Sequence, residues 1–308
     1  MTEIQKEQER IFELCKERLD EFNRINIRPG IFPMDYTAHI IQRIKEGAEL
    51  KSVYLPIQWS QAWELRHHTS AISKIYFEQL QEIFDSCSDA FNYFSSAVTR
   101  NMDQSPFIKH PKNFFLYCGG GYNSCDVDHT PEHSIIPLVH VRELRHYQMA
   151  SLSDIKRTLI LYCLGGESPH WVRLKSNEFS KCCDFVKWTE KLRYTDYLEE
   201  LRNASFALCP RGCGPTTYRI YEALAAGTIP IYITDQPIFP YEDEVDWKNL
   251  VIVVTPDKLA EIPKIVTSIS EEECFAWRRR MKQFCEKYLT LERICSKILQ
   301  QELKRICQ

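Results

Sequence analysis

This sequence of 308 residues has few glycines, no long apolar run and no excess of positively charged residues. No stretch approaches the roughly 18 apolar residues that a membrane-spanning helix needs. The N-terminus has no basic region followed by an apolar run, which argues against a secretory signal peptide. Lysine and arginine total 39 against 42 aspartates and glutamates, so nucleic-acid binding is not expected as the main role. These features predict a soluble, cytoplasmic protein without a membrane span.

The thirteen cysteines are odd in number and scattered, and no CxxC pair occurs among them. Most lie in apolar runs such as FFLYCGG, LILYCLGG and FALCP, which indicates free thiols packed as small apolar side chains in a reducing compartment. The string most similar to a metal site combines Cys118, Cys125, His129 and His133. Because its spacing is irregular, no structural zinc is expected there.

Apolar strand-like runs alternate with helical patterns, which predicts an α/β protein with parallel, doubly wound sheets. The length allows two domains, and we expect them over 1–150 and 151–290, with a helix at 291–308 packing back on the first. Strands are predicted over 51–60, 113–121, 133–141, 157–166, 183–188, 206–210, 228–234 and 249–254. Helices are predicted over 1–22, 36–47, 69–86, near 88–99, and over 195–205, 215–226, 256–269, 271–288 and 290–306. Thr195 is expected to cap the helix 195–205.

Because glycine is scarce, Gly212 and Gly214 stand out in the segment PRGCGPTTYRIYEALAAG at 210–227. The buried strand before them leads into a turn, and a helix beginning at Pro215 and ending at Gly227 would offer free N–H groups to a phosphate. Arg219 and Glu222 are three residues apart and therefore share one helix face. Arginine can bind phosphate and glutamate can accept from ribose hydroxyls, so the segment predicts a diphosphate and ribose site. The alternative is an exposed salt bridge on a surface helix.

The same segment resembles the exostosin family of glycosyltransferases. The residues that carry the resemblance are Tyr197, Leu201, Ser205, Phe206, Leu208, Pro210 and Gly212, followed by Arg219, Glu222, Ala223, Gly227, Ile229, Pro230 and Ile231. It covers about 194–268 and continues less densely over 133–193. The resemblance implies a GT-B fold, in which two Rossmann-like domains face each other across a cleft, the first contacting the acceptor and the second binding a nucleotide sugar.

The resemblance also implies transfer from a UDP-sugar to a glycan or saccharide acceptor, with inversion and without a required metal or other cofactor. The expected donor-site residues are Arg173, Arg211, Gly212, Gly214, Thr216, Thr217, Arg219 and Glu222. The start of the helix and the arginines would stabilise the negative charge of the departing diphosphate.

Inversion needs a base that removes the proton of the acceptor hydroxyl. Candidates follow the predicted strands of the first domain: Glu64, Asp126, Asp128 and His129. The pair Asp126 and Asp128 has DxD spacing, but it lies away from the diphosphate helix, so we interpret it as acceptor-side or structural rather than as a metal clamp.

Three more residues are acceptor-side candidates. Trp59 and Trp63 are candidates for stacking against an acceptor sugar, with ordinary half-buried packing as the alternative. Asp235, at the end of a predicted strand, is expected to touch a donor or acceptor sugar, or else to cap a turn.

Two other functions stay open. An α-1,3-fucosyltransferase-like enzyme using GDP-fucose also ends a helix in a similar way, although it would be expected to place a lysine on this helix. A non-catalytic nucleotide- or glycan-binding module would keep only the fold. The sequence leaves the sugar undefined among xylose, glucuronic acid, galactose and N-acetylglucosamine. A family member without a membrane anchor suggests a bacterial or large-virus origin.

Overall fold

The computed structural model describes residues 1–24, 37–57, 59, 71–97, 109–119, 132–137, 160–164, 170–212 and 214–306. Contacts divide the chain into two compact units. The first unit contains the residues up to Ile136 and the residues from Leu291 onward. The second unit contains Glu143–Thr290.

The elements are given in chain order. The strands are β1 Val53–Tyr54, β2 Tyr93–Ala97, β3 Phe114–Cys118, β4 Glu132–Ile135, β5 Ile160–Cys163, β6 Val186–Thr189, β7 Phe206–Pro210, β8 Ile229–Ile233 and β9 Ile252–Val254. The helices are α1 Glu3–Arg24, α2 Thr37–Lys45, α3 Ala71–Asp85, α4 Trp171–Cys182, α5 Tyr194–Asn203, α6 Tyr218–Ala226, α7 Ile262–Thr267, α8 Glu271–Tyr288 and α9 Leu291–Ile306. Short 3₁₀ turns lie at Trp247–Asn249 and Leu259–Glu261.

Both sheets are parallel. In the first unit the strand order is β1-β2-β3-β4, and in the second it is β6-β5-β7-β8-β9. Strands β7 and β8 are buried along their whole length, as expected for a parallel sheet covered on both faces. Two α/β units with Rossmann-like parallel sheets confirm the predicted fold class.

The second sheet contains a topological switch point between β5 and β7. The chain passes from β5 outward to β6 and then returns to the other side of β5 to form β7. In open α/β sheets, ligands bind outside the carboxyl ends of the strands at such a point. The predicted donor-site residues 211–222 follow β7 directly and therefore lie at this edge.

The last helix, α9, belongs to the first unit. Its Glu302 is only 2% exposed. The Glu302 carboxylate accepts from Ser52 Oγ at 2.5 Å, from the Tyr117 hydroxyl at 3.0 Å, and from Arg305 Nη2 at 2.5 Å. These bonds connect the end of the chain to the residue before β1 and to β3.

One element prediction near the sheets is wrong, and one helix was not predicted. The predicted helix near 88–99 contains β2, which pairs with β1 on one side and β3 on the other. Helix α4 was not predicted at all. Its buried positions are Val172, Ser176 and Ser180, so two of the three side chains that it packs inward are polar.

Two predicted helix starts are also wrong. Helix α5 begins at Tyr194, and the position before it is Arg193 rather than Thr195. Arg193 instead pairs with Asp196 in the first turn, at 2.9 Å. Helix α6 begins at Tyr218 rather than at Pro215, because Thr217 is extended and caps it. Its predicted end is confirmed: Gly227 adopts φ 72° and ψ 25°, a left-handed conformation that glycine tolerates.

Candidate functional site

The turn after β7 is held by main-chain hydrogen bonds. The Arg211 N–H donates to the Ile233 carbonyl at 2.9 Å, which extends the pairing of β7 with β8 by one residue. The Gly212 N–H donates to the Thr216 carbonyl at 3.2 Å and so closes the turn. A Cβ at Gly212 would lie 3.5 Å from Nη2 of Arg173, so this glycine brings the backbone against a cationic side chain.

Two of the predicted donor-site arginines build this turn. Arg211 is 3% exposed, forms an ion pair with Asp235 and donates from Nε to the Gly214 carbonyl at 3.2 Å. Arg173 reaches from the first turn of α4 and donates from Nε to the Arg211 carbonyl at 3.1 Å. Asp235, predicted to touch a sugar or to cap a turn, is therefore a partner of Arg211. Asp235 neutralises the charge of Arg211, and the hydrogen bond to Gly214 shows that this arginine stabilises the turn.

The ion pair leads to a prediction of pH-dependent stability. Burial raises the pKa of Asp235, but the hydrogen bond and charge of Arg211 outweigh it and hold that pKa below the ordinary 3.8. A carboxyl with a lowered folded-state pKa stabilises the protein above its unfolded pKa, and this stabilisation is lost as the pH falls. Asp235→Asn should therefore lower the urea midpoint at pH 7, and the difference from wild type should shrink below about pH 4.

Asp184→Asn, an exposed aspartate in the same unit, provides the matched control and should unfold like the wild type. A midpoint difference for Asp235→Asn that stays constant from pH 7 to pH 3 would show that the ion pair does not contribute in this way.

Two threonines lie where the turn meets α6. The Thr217 hydroxyl accepts from the Arg219 N–H at 3.4 Å and caps the helix. The Thr216 side chain is buried, and its Oγ1 has no hydrogen-bond partner in the described part of the chain. A buried hydroxyl without a partner costs free energy, which is the usual sign that a ligand or water completes its hydrogen bonds.

Arg219 and Glu222 form a cluster with two tyrosines. The Arg219 guanidinium lies 5.5 Å from the ring centre of Tyr162 in β5 and 5.7 Å from that of Tyr197 in α5. It also donates to the Leu208 carbonyl at 3.4 Å. Glu222 is 6% exposed and accepts from the Tyr197 hydroxyl at 2.8 Å. Neither side chain belongs to an exposed salt bridge, the alternative considered from the sequence.

The cluster lies beside the switch point. Tyr162 is the last residue but one of β5, and Arg219 lies in the first turn of α6 after β7. Burial raises the pKa of Tyr197 well above its ordinary value, and the neighbouring Glu222 raises it further. Tyr197 therefore stays protonated and donates to Glu222. A cation held between two aromatic faces has little rotational freedom, so Arg219 is pre-organised.

His170 is a site residue that the sequence analysis missed. It directly precedes α4 and caps it, since its Nδ1 accepts from the Val172 N–H at 3.3 Å. Histidine is not among the residues favoured at this position, and α4 itself has a weak apolar pattern, so neither feature pointed to it. The SP dipeptide before it, at 168–169, is a turn signal that could have indicated a helix start.

The remaining predicted residues divide into two groups. Trp59 is completely buried, and its indole N–H donates to Ser95 Oγ at 2.9 Å, so it belongs to the core of the first unit rather than to an acceptor surface. The others lie outside the described residues and stay predictions: Glu64, Asp126, Asp128 and His129 as candidate bases, and Trp63 as an acceptor contact.

Across the described ranges, no group of three or more histidine, cysteine, aspartate or glutamate side chains is arranged to hold a metal ion. Of the four residues in the predicted metal-like string, Cys125 and His129 lie outside those ranges. No helix among the described residues combines the length and the apolar character needed to cross a bilayer. Ten cysteines of the described part are free thiols.

A parallel sheet with cationic side chains and a helix start at its switch point belongs to the class of open α/β sheets, in which this edge is the usual place for a ligand. The family is given by comparison with known proteins. The Exostosin GT47 domain matches residues 96–269, more than half of the chain. The chain therefore belongs to the exostosin GT47 family.

Three curated relatives are similar to part of the chain. Exostosin-1 of Drosophila melanogaster is 36% identical over 137 residues, which are 44% of this chain and 17% of that protein. The probable glucuronosyltransferase GUT1 of Oryza sativa is 30% identical over 112 residues, and the probable beta-1,4-xylosyltransferase IRX10 of Arabidopsis thaliana is 31% identical over 112 residues. Each of these two alignments spans 36% of this chain and 25% of the relative. The chain thus matches a quarter or less of each relative's length.

Solved structures resemble the chain more distantly. Anabaena Alr3699/HepE in complex with UDP-glucose has a TM-score of 0.45 and 10% identity, covering 86% of this chain and 82% of that one. An E. coli trehalose-6-phosphate structure bound with UDP-2-fluoro glucose has a TM-score of 0.46 and 7% identity, covering 76% and 79%.

Proposed function

We propose that this protein is a glycosyltransferase that moves a sugar from a UDP-sugar to a glycan or saccharide acceptor, with inversion and without a required metal ion. The observation that carries the proposal is the cluster of Arg219, Glu222 and Tyr197 beside the switch point, within the segment matched by the family. Relatives that are similar to part of this chain are described as a probable glucuronosyltransferase and a probable beta-1,4-xylosyltransferase.

The donor half of the reaction follows from the charges at this edge. A departing UDP carries negative charge on its diphosphate, and fixed cations and helix N–H groups lower the barrier by stabilising it. Arg219 and the start of α6 would supply this stabilisation, with Arg173 beside them. Because their positions are set by packing and hydrogen bonds, little reorganisation is needed during the reaction.

Glu222 would bind the ribose of the donor. A carboxylate has two oxygens with about four acceptor positions, so one that accepts from Tyr197 can also accept from a ribose hydroxyl. Tyr197 would then fix the orientation of the carboxylate.

The acceptor half would lie in the first unit. Inversion in one step requires a base that takes the acceptor proton while the donor bond to UDP breaks. Glu64, Asp126, Asp128 and His129 remain the candidates for this base, as predicted from the sequence.

Two measurements test the proposal. UDP should raise the melting temperature of the protein, whereas GDP should not, since only a ligand that binds the folded state stabilises it. UDP release should then be measured with UDP-xylose, UDP-glucuronic acid, UDP-galactose and UDP-N-acetylglucosamine, with and without EDTA. We expect release from at least one donor, with activity retained in EDTA. Stabilisation by GDP alone would favour the fucosyltransferase-like alternative, and strict dependence on Mn²⁺ would contradict the metal-independent mechanism.

A further inference from the structure

The histidine that caps α4 has a defined arrangement of protons. His170 Nδ1 accepts from the Val172 N–H at 3.3 Å, so this nitrogen must offer a lone pair. In a neutral imidazole the other nitrogen then carries the proton. His170 therefore presents an Nε2–H donor, and no described residue accepts a hydrogen bond from it.

The surroundings of His170 keep the ring neutral. Burial lowers the pKa of His170, and the positive charges of Arg211 and Arg173 lower it further, while Asp235 acts in the opposite direction. The net effect is a pKa below the ordinary value of 6.5, so the ring is uncharged at neutral pH. The Nε2–H donor is consequently present under the conditions of the reaction.

Two polar groups without a described partner belong to the elements that meet at this edge, because Arg173, in the helical turn that His170 caps, donates to the Arg211 carbonyl in the turn after β7. One is the His170 Nε2–H, beside the ion pair of Arg211 and Asp235. The other is Thr216 Oγ1, which is buried and has no partner among the described residues. In the same turn, a Cβ at Gly212 would lie 3.5 Å from Nη2 of Arg173 and 3.7 Å from the Thr216 carbonyl oxygen. Hydrogen-bond donors arranged around cationic side chains suit a ligand rich in oxygen acceptors, such as a diphosphate.

We propose that His170 is a further donor-site residue, which donates its Nε2–H to a phosphate oxygen of the nucleoside diphosphate. This inference rests on the proposed function, because it assumes that the diphosphate of a UDP-sugar binds at this edge. His170 then has two separate tasks on its two nitrogens: one caps α4 and the other contacts the ligand.

The two tasks can be separated by substitution. In His170→Asn the side-chain oxygen can still cap α4, because asparagine is among the best residues at this position, but the Nε2–H is lost. In His170→Ala both are lost. We expect both variants to raise the Kd for UDP about tenfold, the usual effect of removing one hydrogen bond to a charged group. The affinity for uridine, which has no phosphate, should change less than twofold in either variant. Only His170→Ala should melt at a lower temperature.

Each outcome decides one point. If His170→Asn binds UDP like the wild type, His170 acts as a cap alone and the inference is overturned. If the affinities for UDP and uridine fall equally, the effect is a general change of the pocket, which also overturns it. A ¹⁵N NMR spectrum of the ring at pH 7 should show the Nε2–H tautomer, and an Nδ1–H tautomer would contradict the geometry. If the wild type does not bind UDP at all, the proposed function fails together with this inference.

Discussion

Replacing Arg219 with alanine is expected to lower the kcat/KM for the UDP-sugar by about 100-fold or more. The guanidinium, held between Tyr162 and Tyr197, would stabilise charge that develops on the departing diphosphate. Removing one pre-organised group of this kind typically costs about 100-fold to 1,000-fold in rate. Arg219→Lys keeps the charge but loses the planar group that stacks on the rings, so it should recover only a small part of the activity.

The control for Arg219→Ala is Arg279→Ala, which removes an exposed arginine from α8 of the same unit and should leave turnover unchanged. Melting temperatures measured in parallel distinguish a lost catalytic contact from a lost fold. A folded Arg219→Ala protein with wild-type kcat/KM would show that this helix does not bind the donor.

Replacing Glu302 with alanine is expected to destabilise the first unit by about 3 kcal/mol, because breaking a buried charged pair leaves its partners uncompensated. The carboxylate is almost fully buried and accepts from Ser52, Tyr117 and Arg305. The substitution would leave the two hydroxyls of Ser52 and Tyr117 without this acceptor. Faster amide hydrogen exchange in β3, together with a lower urea midpoint, would report the loss.

Glu292→Ala is the matched control for Glu302→Ala, because it removes an exposed glutamate from the first turn of the same helix. It should change stability by no more than about 0.5 kcal/mol. Unchanged amide exchange in β3 of Glu302→Ala would mean that the Glu302 carboxylate does not stabilise the packing of α9 on β3.

The part of the fold that the sequence predicts best is the run from β7 to β8. Local signals agree there: a short apolar strand precedes the turn, and Gly227 ends α6 in a left-handed conformation. The exception is the start of α6, where the capping hydroxyl of Thr217 decides the boundary rather than the favourable position of Pro215.

The missed helix α4 shows why apolar periodicity fails at this place. Ser176 and Ser180 face inward, and each satisfies its hydroxyl by donating to the carbonyl four residues earlier, at 2.7 Å and 2.5 Å. Such serines are buried without an apolar pattern that a sequence analysis could detect. His170 was missed together with its helix.

The wrong element near 88–99 has another cause. Strand β2 lies between two neighbours and is buried, with Ser95 and Ser96 completely inaccessible. A strand buried on both faces has no alternation of apolar and polar residues, so a short apolar run cannot be distinguished from a helix. Long-range pairing with β1 and β3 determines the structure here.

The contacts within the candidate site could be predicted only where its residues are neighbours in sequence. Helix geometry relates positions three apart, so the sequence predicts that Arg219 and Glu222 lie on one face of the helix. Their partners Tyr162 and Tyr197 come from other elements, and the ion pair of Arg211 with Asp235 joins the ends of two strands. Only the order of strands in the sheet brings these groups together.

The placement of α9 has a consequence for the order of events during synthesis. Helix α9, which completes the first unit, is translated only after the second unit has been synthesised. The second unit can therefore fold during translation, since domains generally fold as units as they emerge. The first unit must wait, with the surface around Ser52 and Tyr117 uncovered, until α9 has been synthesised. Aggregation of nascent chains should accordingly depend on the time between the synthesis of β3 and that of α9.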